Sequence, residues 1–355
     1  MTTIRELAFI ETLTQRFKRS PLQLNSLQEA DAEIVRLDPS GSTCLAITTD
    51  TIAEEISSGL YDDPFLIGWM TVMASMSDLA AVGATPIGIL ISETLPANLP
   101  AEWLSELQQG IAQACDACSS FVLGGDTNSG PQLILSGCAV GTTSQDRLLT
   151  RSGAQPGDRL YSTGFLGLGN AFALEQFVKS RRSPDESIMY QPHARLTEGR
   201  TVAGLASCCM DTSDGALSTL DQLMRVNHVG FEIGPEPKAL LHPAARVAAE
   251  LSGLPSWLFL AGQHGEFELL FTISPRDEAR LLAAAERSQW LPMLVGTAIS
   301  SEEIRLTLHG SQVALDTGAL RNLAGVCGSD VESYIRELCC IDAQYEKGVL
   351  NHVYA

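Results

Sequence analysis

Apolar residues along the chain keep changing rhythm between helical spacing and short continuous runs. Ile4, Leu7, Ile10 and Leu13 fall on one side of an amphipathic helix expected over residues 3–17. Leu45-Ala46-Ile47-Thr48-Thr49 reads as a buried strand that ends at Asp50. Residues 67–82 are apolar almost all round and Gly83 follows, which predicts a buried helix with a glycine stop. Asp78 falls in the last turns of that helix. A second helix is predicted over 101–117, then a strand Phe121-Val122-Leu123, a Gly124-Gly125-Asp126-Thr127 turn and a strand over 133–140. The turn-rich stretch 152–158 has the composition of a domain boundary. Beyond it come a strand Leu160-Tyr161-Ser162 and a glycine-spaced turn, Gly164 to Gly169, that opens a helix. Close helix–sheet packing is the favoured reason for those glycines, ahead of phosphate binding. Ser213 is expected to cap a helix starting near Gly215. Strands follow at 267–273 and 294–299, with a hairpin of 304–308 and 312–315 turned by His309-Gly310-Ser311. The tail has a helical stretch over 331–338. This alternation predicts α+β or α/β layering, divided as residues 1–155, 156–327 and an appendage at 328–355.

Composition narrows the class. A chain of 355 residues with 45% hydrophobic and 18% charged residues is a globular protein long enough for two cores. Its formal net charge of -19 argues against a basic surface for nucleic acid or an anionic membrane. Nine cysteines in no secretory pattern, no long apolar run and no signal sequence point to a reduced, cytoplasmic setting. Cys115 and Cys118 lie on one helix face and are expected as buried thiols.

The chemistry lies in five acids placed where apolar segments end: Asp50, Asp78, Asp126, Asp211 and Asp214. Brought together they would repel one another unless cations held them, and magnesium shared with substrate phosphates is the usual solution. Gly125 would let backbone approach a polyphosphate. Thr49, Thr127 and Ser213 would add hydroxyl or backbone contacts, and Arg151 would grip phosphate oxygens directly. Neither a Walker A motif nor a protein-kinase motif set is present.

In order, Thr48-Thr49-Asp50-Thr51, Ser77 to Ala84, Gly124-Gly125-Asp126-Thr127, Arg151-Ser152-Gly153-Ala154 and Asp211-Thr212-Ser213-Asp214-Gly215 resemble the motifs of thiamine-monophosphate kinases. Those enzymes belong to the aminoimidazole ribonucleotide synthetase (PurM-like) superfamily. The resemblance implies an α+β, two-domain PurM-like fold, with strands of the N-terminal domain completing a barrel across a homodimer and ATP in a cleft. By similarity, Asp31, Asp50, Asp78, Asp126, Asp211 and Asp214 would ligate Mg2+. Gly125, Arg151 and Ser213 would touch ATP, and Asp126 and Asp214 would act in catalysis. The acceptor side departs from the pattern. Ser57 stands in place of a substrate-contacting histidine, Glu29-Ala30-Asp31 in place of Gly-Asp-Asp, and Gln263-His264-Gly265-Glu266-Phe267-Glu268-Leu269 in place of Gly-Gly-Glu-Asp-Tyr-Glu-Leu. Ser57, His264 and Glu266 are therefore the expected substrate residues. The reading is a Mg-dependent, ATP-using kinase acting on a small acceptor, thiamine monophosphate or another. An amidine-forming ligase and a non-catalytic nucleotide-binding relative remain as alternatives.

Overall fold

A computed structural model describes residues 2–15, 17–178, 187–327 and 330–353. The first half comprises α1 (Arg5–Thr14), β1 (Glu33–Arg36), β2 (Thr43–Thr51), α2 (Ala53–Ser57), α3 (Pro64–Ala81), β3 (Thr85–Leu95), α4 (Ala101–Ala117), β4 (Val122–Ser129) and β5 (Ile134–Ser144). Its five strands are ordered β1-β2-β5-β3-β4. Helix α3 forms where the sequence places it. Asp63 accepts the Leu66 N–H at 2.9 Å and Pro64 opens the first turn. At the far end Gly83 turns the chain at φ +68°.

Nearly every side chain of α3 is buried, because the helix is covered on all sides. One side packs on β2 and β5 and another on α4. Two glycines set the α3–α4 approach. A Cβ on Gly68 would lie 2.1 Å from the Leu107 carbonyl oxygen, and one on Gly110 2.1 Å from that of Phe65. The paired Cys115 and Cys118 are buried free thiols beside this contact, pushed up by burial to about 11 and about 12.

The second half comprises β6 (Arg159–Ser162), α5 (Leu168–Val178), α6 (Leu196–Val202), β7 (Ala206–Asp211), α7 (Ala216–Asn227), β8 (Gly230–Ile233), α8 (Pro237–Leu240), α9 (Pro243–Ser252), α10 (Leu258–Ala261), β9 (Leu269–Ile273), α11 (Glu278–Arg287), β10 (Met293–Ile299), β11 (Ile304–Leu308), β12 (Ser311–Leu315), α12 (Thr317–Cys327) and α13 (Val331–Val353). Its seven strands are ordered β12-β11-β8-β10-β6-β9-β7. Helix α3 also touches this half, through α6 and β7. A Cβ on Gly199 of α6 would sit 2.1 Å from the Ala80 carbonyl oxygen, so the halves meet backbone to backbone.

Several sequence expectations change. Gly124–Thr127 is not a turn but the middle of β4, an edge strand exposed along its whole length. Asp50 lies inside β2, because the ladder with β5 continues to Thr51↔Ser136. The α1 stripe is only partly covered: Ile4 is buried, whereas Leu13 is 54% exposed. Ser213 does not cap α7, which starts after Gly215 with no side-chain cap. The hairpin turn is His309-Gly310 alone, both at positive φ, and Ser311 joins β12. The tail helix runs far beyond Leu338 and is anchored by the Trp257 indole N–H, which donates to Asp342 at 2.7 Å. Residues 328, 329, 354 and 355 of the expected appendage lie outside the described residues.

Candidate active site

Three distant segments deliver carboxylates to one point at the junction of the halves. Asp31 precedes β1, Asp78 sits in the last turn of α3 and Asp211 ends β7. One oxygen from each lies within 4.8 Å of the others. Asp50 joins them from β2. Alternation along that strand puts Thr48 and Asp50 on the face toward α3, where the Thr48 hydroxyl donates to Asp78 and Ser75 neighbours Asp50. Ser77 donates to Asp211 Oδ2 at 2.6 Å, and the Ser213 hydroxyl donates to Asp211 Oδ1 at 2.8 Å. That bond is why Ser213 is unavailable as a helix cap.

The charge balance is poor without a cation. Burial, then the neighbouring acids Asp50, Asp211 and Asp31, push the Asp78 carboxyl well above the ordinary range. Burial and Asp31 raise Asp211 in the same way, and burial raises Asp50. Asp31 Oδ2 and Asp50 Oδ2 are buried without a hydrogen-bond partner among the described residues. The compensating side chain is Arg151, whose Nη2 lies 2.8 Å from Asp31 Oδ1. Burial opposes its charge, but the Asp31 pair outweighs this and the guanidinium pKa is raised. Arg151 thus pairs with the acids as their counter-charge. Orphaned hard oxygens around a shared point suit a small divalent cation.

Other expected residues are not brought to this point. In register, Asp50 pairs with Gly137, Gly137 with Ile91 and Ile91 with Gly125. Asp126, one residue on, therefore lies on the opposite sheet face from Asp50, across three strand spacings of about 4.8 Å. It is exposed and accepts from Asn128 Nδ2 at 2.6 Å. Thr49 is also on the far face, its hydroxyl donating to the Gly137 carbonyl at 3.0 Å. Gly125 brings its backbone against β3, where a Cβ would meet the Ile91 oxygen at 1.9 Å. Thr127 is exposed beside Glu93. Asp214 stands exposed in the turn before α7, at the rim of the cluster. The signals for Thr48 and Ser75 were present in the sequence: i, i+2 with Asp50 on a strand and i, i+3 with Asp78 on a helix.

The expected acceptor residues divide. Ser57 is exposed at the end of α2, its hydroxyl donating to the Glu54 carbonyl at 3.0 Å. His264 lies 5.9 Å from the Phe177 ring, and burial pushes it down to about 4, which leaves it neutral at physiological pH. Glu266 is buried, and its Oε2 accepts the Gly167 N–H at 2.7 Å. The glycine-spaced loop before α5 thus receives a carboxyl group, and Gly169 packs tightly on Gly265. Glu266 Oε1 has no partner among the described residues.

Burial pushes Glu266 up to about 8 from 4.5, so its neutral form is favoured in the folded chain. Stability from this group is complete below the unfolded value and is lost as pH rises through 8. Glu266→Gln, which mimics the neutral acid, should therefore flatten the fall in Tm between pH 6 and pH 9 in ligand-free protein. Parallel Tm–pH curves for the two proteins would contradict a protonated Glu266.

The first sheet and the acids Asp31, Asp50 and Asp78 fall in a segment similar to the AIR synthase-related class. Residues 29–143 match the profile described as AIR synthase related protein, N-terminal domain. The thiamine-monophosphate kinase of Methanospirillum hungatei is 34% identical over 271 residues, covering 76% of this chain and 86% of the relative. That of Synechococcus elongatus is 29% identical over 307 residues, covering 82% and 90%. The solved structure described as AaThiL complexed with AMPPCP and TMP has the same fold, with a TM-score of 0.69 at 23% identity over 87% of this chain and 93% of that one. The chain belongs to the thiamine-monophosphate kinase family.

Proposed function

We propose that this chain transfers the γ-phosphoryl group of ATP to the phosphate of thiamine monophosphate, with magnesium as cofactor. The observation that carries this reading is the convergence of Asp31, Asp78 and Asp211 oxygens within 4.8 Å at the junction of the halves, with Asp50 beside them. The relatives' names and the AMPPCP and TMP of the related structure supply the nucleotide and the acceptor. Bound magnesium would neutralise phosphate charge and hold the attacking and leaving oxygens in line. In this reading Asp31, Asp50, Asp78 and Asp211 hold the cations. Thr48, Ser75 and Ser77 fix the carboxylates, and Arg151 prevents their collapse or dispersal when the cations leave. Asp214 and Ser213 face the phosphates from the rim. No general base is required, because the acceptor phosphate is already anionic.

We take the two sheets as the cores of two domains, with residues 328–355 as an appendage. The bare β4 edge, with Phe121 just before it and Val122 and Leu123 on it exposed, supports a homodimer. Asp126, facing away from its own chain's cluster, would then serve a surface shared with the partner. Among the described residues no helix is long and apolar enough to cross a membrane; the free cysteines support placing the protein in the reducing cytoplasm.

Incubation of the purified protein with ATP, Mg2+ and thiamine monophosphate should yield ADP and thiamine diphosphate in equal amounts. Orthophosphate released in place of the diphosphate would instead fit a ligase. Absence of ATP consumption would remove the kinase reading.

A further inference from the structure

Beside the acid cluster lies a further acid that the reaction chemistry does not use. Glu55 is in the short helix α2, five residues beyond Asp50, and it is half-buried. Its Oε2 is buried without a hydrogen-bond partner among the described residues. The chain after it folds back so that the N–H groups of Leu60 and Tyr61 both donate to the Glu55 carbonyl, at 2.9 and 3.2 Å. Tyr61 is thereby fixed beside Glu55. It stacks on Tyr190 at 6.2 Å between centroids, and Tyr190 stacks on Phe172 at 4.7 Å. The Tyr190 hydroxyl donates to the Gly265 carbonyl at 2.7 Å, next to Glu266. A line of contacts thus runs through aromatic rings from the Glu55 main-chain carbonyl to that of Gly265, and the Glu55 carboxyl oxygen stays unpaired beside its first ring.

Electrostatics give this line a direction. Burial and then nearby carboxylates, Asp214 and Asp50 among them, raise the Glu55 pKa, and Tyr190 is in the field of both Glu55 and Glu266. A phosphate group could not rest here without intervening cations, because every ionisable neighbour named is an acid or a tyrosine. A positively charged or N–H-bearing group suits the Glu55 carboxyl, since it satisfies the orphan oxygen and offsets the acidic surroundings.

We infer that Glu55 is a specificity-determining residue that recognises the cationic, N–H-bearing ring end of the acceptor. This rests on the kinase reading above, with the acceptor's phosphate end at the acid cluster and its ring end at Glu55. Glu55 selects among phosphorylated acceptors by charge and leaves the nucleotide untouched. A role as a further metal ligand would behave differently, because it would couple the loss of Glu55 to ATP and Mg2+.

The test is steady-state kinetics of the wild type, Glu55→Gln and Glu55→Asp with thiamine monophosphate, whose thiazolium ring carries the positive charge. Glu55→Gln should raise KM for thiamine monophosphate about tenfold, with KM for ATP and the Mg2+ requirement unchanged and no loss of Tm. Glu55→Asp should recover part of the loss. An unaltered KM for thiamine monophosphate in Glu55→Gln would overturn the inference. So would an equal rise in KM for ATP or in the Mg2+ requirement. Wild-type turnover is measured first: its absence removes the kinase reading, whereas turnover with an unaltered Glu55→Gln removes only the role of Glu55.

Discussion

Replacing Asp78 by Asn should lower kcat about a thousandfold or more while making the ligand-free protein more heat-stable. Both effects come from one geometry. Asp78 shares its surroundings with Asp50, Asp211 and Asp31, and these acids raise its pKa together with burial. In cation-free buffer the carboxylate is therefore a strained, repelling group, and an amide of the same shape removes the repulsion. The Thr48 hydroxyl keeps an acceptor, because the amide carbonyl replaces the carboxyl oxygen it now uses. With ATP and Mg2+ the sign reverses, because a neutral amide is a poor partner for a hard divalent ion and holds phosphate charge less well. Sites built for binding commonly sacrifice stability in this way. Melting curves with and without Mg2+ and ATP, alongside turnover, test both halves. A variant that is less stable than wild type without ligand, or that keeps its rate, would contradict this account of the cluster.

The second large effect is expected at Arg151. Arg151 and Asp31 side chains are only 17% and 1% exposed and meet at 2.8 Å. Removing one partner of such a pair leaves an uncompensated buried charge, which costs about 3–5 kcal/mol. Arg151→Met keeps the side-chain bulk and deletes only the guanidinium. It also frees the Glu29-Ala30-Asp31 loop, where the Arg151 Nη1 reaches the Gln28 carbonyl at 3.4 Å. The loss should appear as a lower midpoint in urea denaturation. Two manipulations should restore much of it: millimolar Mg2+, which replaces the missing positive charge, and Asp31→Asn in the same chain, which removes the charge left unpaired. Wild-type stability in Arg151→Met would contradict a stabilising role for the Arg151–Asp31 pair.

How far the sequence revealed this site depended on the kind of signal. Helices α3 and α4 were legible because many residues repeat one message: α3 is apolar on all sides and α4 shows a clear face. The convergence of Asp50, Asp78 and Asp211 was anticipated from motif context, and the structure brings these three together with Asp31. Asp126 was misplaced for a definite reason. Gly-Gly-Asp-Thr has turn chemistry locally, but β3 offers a neighbouring ladder, and tertiary pairing overrides local preference. Once the segment is a strand, alternation turns Asp126 to the other face. The Arg151–Asp31 pair was not anticipated because its partners lie 120 residues apart in sequence, and no local pattern records that distance. Ser213 had the composition of a cap, yet a carboxylate two residues earlier claims its hydroxyl.

Helix α3 has a mechanical consequence. It lies against the first sheet along its length and is welded to the second half by the Ser77–Asp211 bond and by Gly199 under Ala80. The halves cannot swing apart like a clamshell without tearing that seam. Admission of substrate through peripheral loops and short helices would leave that seam, and the spacing of the acids it holds, intact.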